Sequence, residues 1–247
     1  MRTHILSDRH GRRFLIEVGV VVLGVLIALG AEQAVQAVKW RQEVAATSEA
    51  LGDELLTATY QGYERAAVNL CLRERIKALA DKVGRNQSEW KGDALPVRTD
   101  YLGPVLPQVY RTPSRIWSRD AWDAALAGGT TNHMPRKRVS DYAAVYAQIS
   151  DLRQLERREN EHTSSLAFLA QDQVLESRAR TEAMHTLAEL DRINNMIVLI
   201  AGQVATSARE LGVKLDTAEA RDEFTQVLKD QRRLRGRCVR DPLARLS

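Results

Sequence analysis

Two Glu-x-x-His pairs are the residues in this sequence whose spacing comes nearest to a metal site. Glu159 and His162 form the first pair, and Glu182 and His185 the second. The spacing puts a carboxylate and an imidazole on one helix face, as in di-iron carboxylate bundles. With a predicted turn near residue 179, however, the two histidines would lie about 16 Å apart along the bundle. Both pairs also lie in strongly charged sequence, so we interpret the two histidines as exposed helical residues and predict no metal and no cofactor.

Catalytic signatures are absent from the sequence. It contains no Gly-x-Ser-x-Gly motif, no glycine-rich phosphate loop and no His-Glu-x-x-His. The acids mostly alternate with Arg and Lys on predicted helices, as in residues 151–161, which is typical of a solvated, salt-bridged face. We therefore predict that the protein is not an enzyme. A periplasmic hydrolase or metal enzyme with a scattered site stays an open alternative.

A cluster of aromatic and arginine side chains within residues 90–122 is the best candidate for binding. Tryptophan and arginine are enriched at the energetic centres of protein interfaces. The alternative is structural, with Trp117 and Trp122 bracing a short helix on two sides. The candidate contact surface consists of Trp90, Tyr110, Arg111, Arg115, Trp117 and Trp122.

The two cysteines, Cys71 and Cys238, are too few for a disulfide scaffold or a cysteine-based zinc site. If both lie in an oxidising compartment, an antiparallel bundle could bring them together, since chain ends often lie close in a domain. Two unpaired thiols, with Cys71 as a small core residue, are the other possibility.

An apolar segment near the N-terminus, residues 14–31, carries one charged side chain, Glu17. Its 18 residues would span roughly 27 Å as a helix, close to the thickness of a bilayer's hydrocarbon core. A cleaved signal peptide is the competing interpretation, because Ala28-Leu29-Gly30 has the small-x-small form of a cleavage site. Basic residues before the segment favour a cytoplasmic N-terminus; they are Arg2, Arg9, Arg12 and Arg13.

The first half of the remaining chain is predicted as a long helix followed by an irregular insertion. Apolar residues recur at three- and four-residue steps over residues 32–83. Glycines and prolines then crowd residues 84–112, where no periodicity survives. A short helix should begin with Thr112 as cap and Pro113 in its first turn, and end at Gly128.

Three further helices complete the predicted fold. One begins at Pro135, a turn follows near residues 177–181, and the next helix ends near Gly212. A last helix begins at a sequence resembling a capping box, residues 216–219. The expected fold is all-α: a single transmembrane helix continuing into an antiparallel bundle of four to five helices. The expected organisation is a cytoplasmic tail (1–13), an anchor (14–31) and a helical extracytoplasmic domain (32–247).

The composition agrees with a folded protein and gives no indication of a nucleic-acid partner. Hydrophobic residues make up 44% of the 247 residues and charged residues 28%, which is a globular composition. The formal net charge of +4 is too balanced to indicate nucleic acid. Six arginines between residues 232 and 245 could contact anionic lipid or an acidic surface.

The N-terminal sequence resembles that of a group of bacterial single-pass membrane proteins of unknown function. The similarity rests on residues 12–17 (Arg-Arg-Phe-Leu-Ile-Glu), 22–29 (Val-Leu-Gly-Val-Leu-Ile-Ala-Leu) and Trp40-Arg41. The segment 117–129, with Trp122-x-x-x-Leu126 before a glycine stop, is also similar. The resemblance covers about 60 residues and implies topology and fold: an inner-membrane anchor with a periplasmic helical domain.

These observations predict a membrane-anchored protein that acts through protein–protein interaction. Its partner would be another membrane or periplasmic protein, or a second copy of the chain. The alternative is a ligand-sensing helical bundle, which would need a partner to carry its signal because the N-terminal tail is about 13 residues long.

Overall fold

The computed structural model describes residues 6–85, 88–95, 107–214 and 217–245, and the protein is all-α, as the sequence predicts. The described residues form five α-helices: α1 (Leu6–Val83), α2 (Asp120–Ala127), α3 (Arg136–Ser165), α4 (Ser177–Glu210) and α5 (Ala218–Arg235). Two short strands, β1 (Glu89–Trp90) and β2 (Gln173–Val174), pair antiparallel. Short 3₁₀ turns lie at Thr130–His133, Ala167–Ala170, Gly236–Cys238 and Leu243–Arg245.

Helix α1 is 78 residues long, or about 117 Å. It contains the apolar segment and, further along, residues of the hydrophobic core. The described apolar side chains at its start are exposed; Phe14 and Val21 each retain 65% of their accessible surface. Burial begins further along, and Leu51 and Leu55 are fully enclosed. From Glu17 onward this helix is long and apolar enough to cross a membrane, and none of the described residues of its most apolar 18-residue window is buried.

Helix α4 packs antiparallel against α1. Gly62 of α1 lies beside Ala201 of α4, and Arg73 pairs with Asp191 at 3.3 Å. A Cβ built on Gly62 would lie 2.8 Å from the Ala201 Cβ. Glycine costs helix stability, and here it is needed because the two helices approach too closely for a side chain.

Helices α3 and α5 run parallel to α1, so the expectation of an antiparallel bundle is wrong for these pairs. Glu54 and Arg65 of α1 contact Tyr146 and Glu159 of α3, in the same order along both helices. The contacts of α1 with α5 also run in the same order, from Tyr60–Phe224 to Glu64–Gln231. A chain that leaves α1 at one end and begins α3 at the other must cross the bundle between them.

The described residues between α1 and α2 are 84–85, 88–95 and 107–119; we call them the crossing segment, and they contain no α-helix beyond the end of the predicted insertion at 84–112. No helix begins at Pro113; α2 begins at Asp120. The backbone N–H of Arg115 donates to Glu156 of α3 at 3.0 Å, and Trp117 is buried in the core. These contacts keep residues 113–119 out of a helix, although the local sequence favours one.

The turn before α4 lies earlier than the predicted residues 177–181. Helix α3 ends at Ser165, and α4 already begins at Ser177. Buried Leu166 and Leu169 pull the chain inward between them, and the N–H of Leu175 donates to the Ser88 carbonyl at 2.8 Å. The last helix begins as predicted, with Thr217 as N-cap accepting from the Ala220 N–H.

The hydrophobic core has two parts. The proximal cluster is nearer the exposed start of α1, and the distal cluster is nearer Val83. Members of the proximal cluster include Leu51, Leu55, Trp117, Trp122, Tyr146 and Ile197. Members of the distal cluster include Val68, Leu72, Leu79, Trp90, Leu187 and Phe224. Between the two clusters lies a layer of buried polar side chains.

Candidate functional site

The aromatic side chains proposed as a contact surface lie inside the protein. Trp90, Tyr110, Trp117 and Trp122 are at most 5% exposed. The Trp122 ring stacks on that of Tyr146, with centroids 5.3 Å apart. A partner cannot reach these rings in this conformation. The bracing alternative placed Trp117 and Trp122 on one short helix; both are buried, but only Trp122 lies on α2, and Trp117 precedes that helix.

The two arginines of that surface are tied to neighbouring polar groups. The Arg111 Nε donates to the Gln108 side-chain oxygen at 3.1 Å. The Arg115 guanidinium donates to both carboxylate oxygens of Glu64, at 2.6 and 2.8 Å. Arg115 therefore connects the crossing segment to α1.

The centre of the polar layer is an ion pair between Arg65 of α1 and Glu159 of α3. The two guanidinium Nη atoms donate to the two carboxylate oxygens, at 2.6 and 3.0 Å, and the side chains are 4% and 0% exposed. Arg65 also donates to the Asn194 Oδ1 of α4 at 2.7 Å. The Asn194 amide in turn donates to the Tyr110 hydroxyl. Three helices and the crossing segment thus meet at one set of hydrogen bonds.

A second branch of the polar layer reaches α5 through Glu64. Besides the Arg115 contact, Glu64 accepts a hydrogen bond from the Gln231 amide at 2.9 Å. The oxygen of Gln231 accepts from the Arg235 Nε, also at 2.9 Å. Because Glu64 is 2% exposed, its charge depends on these donors in place of water.

Burial shifts the pKa values of two side chains in the polar layer, Tyr110 and Arg235. Burial, together with the nearby Glu159 charge, raises the pKa of Tyr110 far above its usual value, so the phenol stays neutral. Burial lowers the pKa of Arg235, a group that starts too high to lose its proton near neutral pH. Tyr110 therefore stays neutral and Arg235 stays charged near neutral pH.

Glu54 anchors the end of the crossing segment. Its carboxylate accepts from the Ser118 hydroxyl at 2.5 Å, the Ala121 N–H at 3.2 Å and the Tyr146 hydroxyl at 2.7 Å. Burial and this bond to Glu54 raise the pKa of Tyr146. The contacts fix where α2 begins.

The two cysteines are bonded to each other. Cys71 lies on α1 and Cys238 just beyond α5, with Cα atoms 5.1 Å apart. The backbone N–H of Arg240 also donates to the Ala67 carbonyl at 2.9 Å. The segment that follows α5 is therefore joined to the middle of α1 at Cys71 and Ala67.

The Glu-x-x-His pairs do not come together. Glu159 turns inward to Arg65, although its pair lies in strongly charged sequence. Of the two histidines expected to be exposed, His185 is exposed and His162 is half-buried. Glu182 accepts a hydrogen bond from Arg178 at 2.9 Å on the surface. Across the described ranges, no three His, Cys, Asp or Glu side chains gather as metal ligands would.

The sequence carries a signal for the polar layer. Arg65 lies midway between two buried apolar residues of α1, Ala58 and Leu72, at seven residues from each. Asn194 lies in the same way between Leu187 and Ala201 of α4. Glu159 lies seven residues after Leu152. A charged or amide side chain on an apolar stripe implies a buried partner. The sequence does not say which partner it is.

Two open grooves cross the surface of the bundle. The distal groove, about 530 Å³, runs between α1 and α4; its floor includes Leu70, Met184 and Leu187. The proximal groove, about 390 Å³, lies between α1 and α2 and is lined by Lys39, Trp40 and several alanines. Both are shallow and partly apolar.

No protein-family model matches this chain, and no similar curated protein or solved structure was found. The resemblance of its N-terminal sequence to single-pass membrane proteins remains a sequence-based expectation.

Proposed function

We propose that this is a non-enzymatic, membrane-anchored protein whose helical body acts by binding another protein. The observation that carries the proposal is the continuity of α1. One uninterrupted helix contains the exposed apolar segment and, further on, Arg65 and Cys71 of the body. An anchor joined in this way holds the body at a fixed height above a bilayer, where a flexible linker would not.

We further propose that the body lies on the periplasmic side of a bacterial inner membrane. The disulfide between Cys71 and Cys238 supports an oxidising compartment. The arginines that precede the apolar segment support a cytoplasmic N-terminus.

The distal groove is the surface that best suits a protein partner. Leu70 and Met184 are 37% and 39% exposed on its floor, although both are large apolar side chains. Charges of both signs border them: Arg73, Glu74, Lys77 and Asp191. We propose an amphipathic helix as the occupant, with apolar residues for the floor and both acidic and basic residues for the border.

Anchoring is tested by alkaline carbonate extraction of membranes from cells that make the full chain. We expect the protein to stay in the membrane pellet. The variant L23R/L26R should shift toward the soluble fraction, because arginine is costly inside the bilayer. V35R/V38R makes the same change beyond the segment and is the matched control. A soluble protein with a new N-terminus near Ala31 would support the signal peptide instead.

Partner binding is tested by crosslinking in cells, followed by capture of the full chain and quantification of co-captured proteins. We expect at least one protein to be lost in L70E/M184E and retained in L199E. Leu199 is 55% exposed on α4 outside the groove, so it controls for adding an acid to an exposed apolar site. An unchanged set of captured proteins in L70E/M184E would contradict the groove as the binding surface.

A further inference from the structure

The proximal end of the body carries a group of exposed basic and amphipathic side chains. Arg136, Lys137 and Arg138 are exposed in the first turn of α3, and Lys39 and Arg41 are exposed on α1. The 3₁₀ turn between α2 and α3 adds His133, whose ring stacks on Trp40 with centroids 3.8 Å apart. We call this surface the proximal basic surface.

Helix geometry sets the distance from the proximal basic surface to the apolar segment. Nine residues of continuous helix separate Ala31 from Trp40, about 14 Å. The contact of Glu54 with Tyr146 places the start of α3 near the level of Val44, about 20 Å from Ala31. Since an arginine side chain extends several ångströms further, its charge lies within about one Debye length of a bilayer's headgroup layer.

The positions of the arginines in α3 run against local helix preference. The N-terminus of a helix carries a partial positive charge and favours acids, yet α3 has no acid in its first turn. Lys137 is offset by Asp141 at 2.7 Å. Arg136 has no hydrogen-bond or ion-pair partner among the described residues, and Arg138 lies over the Tyr142 ring. By contrast, both arginines at the start of α4 are bound, Arg178 to Glu182 and Arg180 to backbone carbonyls.

We propose that the proximal basic surface binds the anionic phospholipid headgroups of the bilayer in which α1 is anchored. This inference rests on the proposed anchoring. The charge of this surface is complementary to anionic phospholipid headgroups. Leu126, 48% exposed at the end of α2, adds an apolar side chain on the same side. The lipid contact orients the body upright on the membrane.

The experiment compares hydrogen exchange of the full chain in two kinds of nanodisc, phosphatidylcholine alone and phosphatidylcholine with phosphatidylglycerol. Amides of residues 130–142 should exchange severalfold more slowly in the anionic discs, since each cation near an anionic leaflet changes a binding constant by about fivefold. Amides of residues 177–187, at the other end of the bundle, should exchange equally in both. High salt should remove the difference.

The variant R136Q/R138Q should lose the lipid-dependent slowing while keeping the melting temperature of the wild type. R85Q/R178Q removes the same charge from the opposite end of the body and should behave as wild type. Equal exchange in the two nanodiscs, or slowing that persists in R136Q/R138Q, would overturn the inference. That result would leave the anchor intact, whereas a chain that fails to stay in any nanodisc would refute the proposed function itself.

Discussion

Arg65 and Glu159 form a two-point ion pair in the middle of the body, and Asn194 shares the guanidinium with the carboxylate. The pair joins α1 to α3 at the level that separates the two hydrophobic clusters. A buried ion pair offsets its desolvation cost only when both partners are present. The pair therefore favours the one helix register in which Arg65 and Glu159 meet.

Removal of one partner should destabilise the protein strongly. We expect Glu159→Ala to lower the free energy of unfolding by about 3–5 kcal/mol, since it leaves the Arg65 charge buried and unpaired. The double variant R65L/E159L should lose less than E159A alone. Chemical denaturation of the full chain in detergent measures both, and a double variant less stable than E159A would contradict this account.

The disulfide should stabilise the body by restricting its unfolded state. The closed loop spans 167 residues, for which the chain-entropy model gives on the order of 5 kcal/mol. C71S/C238S should therefore melt at a lower temperature than the wild type. Alkylation of the denatured, unreduced protein should find no free thiol; two labelled cysteines would disprove the bond.

Trp122 should matter for stability far more than an exposed neighbour does. We expect Trp122→Ala to cost about 3–5 kcal/mol, because the ring is buried and stacked on Tyr146. Ile116→Ala is the control: its side chain is 84% exposed, and the change should stay within about 0.5 kcal/mol. Circular dichroism melts of the full chain compare them, and equal effects would contradict the buried position of Trp122.

Asp93 should contribute to the acid sensitivity of the protein. Partial burial alone would raise its pKa, but the hydrogen bond and charge of Arg75, with the charge of Lys82, outweigh this and hold the pKa below its usual 3.8. Its stabilising contribution is thus present above pH 3.8 and is lost as the pH falls through the lower, folded-state pKa.

Asp93→Asn should therefore be less stable than the wild type at pH 6, and the gap should narrow toward pH 3. Asp81→Asn changes a more exposed acid, paired with Lys77 on the surface, and should show a smaller gap. Thermal melts across this pH range measure the differences. A gap for Asp93→Asn that widens on acidification would refute the sign of the shift.

The sequence by itself determined the helical class, the long first helix, the apolar segment, the starts of α3 and α5, and the two cysteines as a possible pair. These follow from local information: the spacing of apolar residues, proline and capping residues, and composition. Such signals act over a few turns of helix and do not depend on the rest of the chain.

Only the tertiary structure decided the direction of α3, the absence of a helix over residues 113–119 and the buried polar layer. In each case a contact between residues far apart in sequence overrides a local preference. Trp117 and the Arg115–Glu156 contact prevent a helix at Pro113. Glu159 lies in charged sequence that is typical of a protein surface. It is buried because Arg65, 94 residues earlier, supplies the opposite charge.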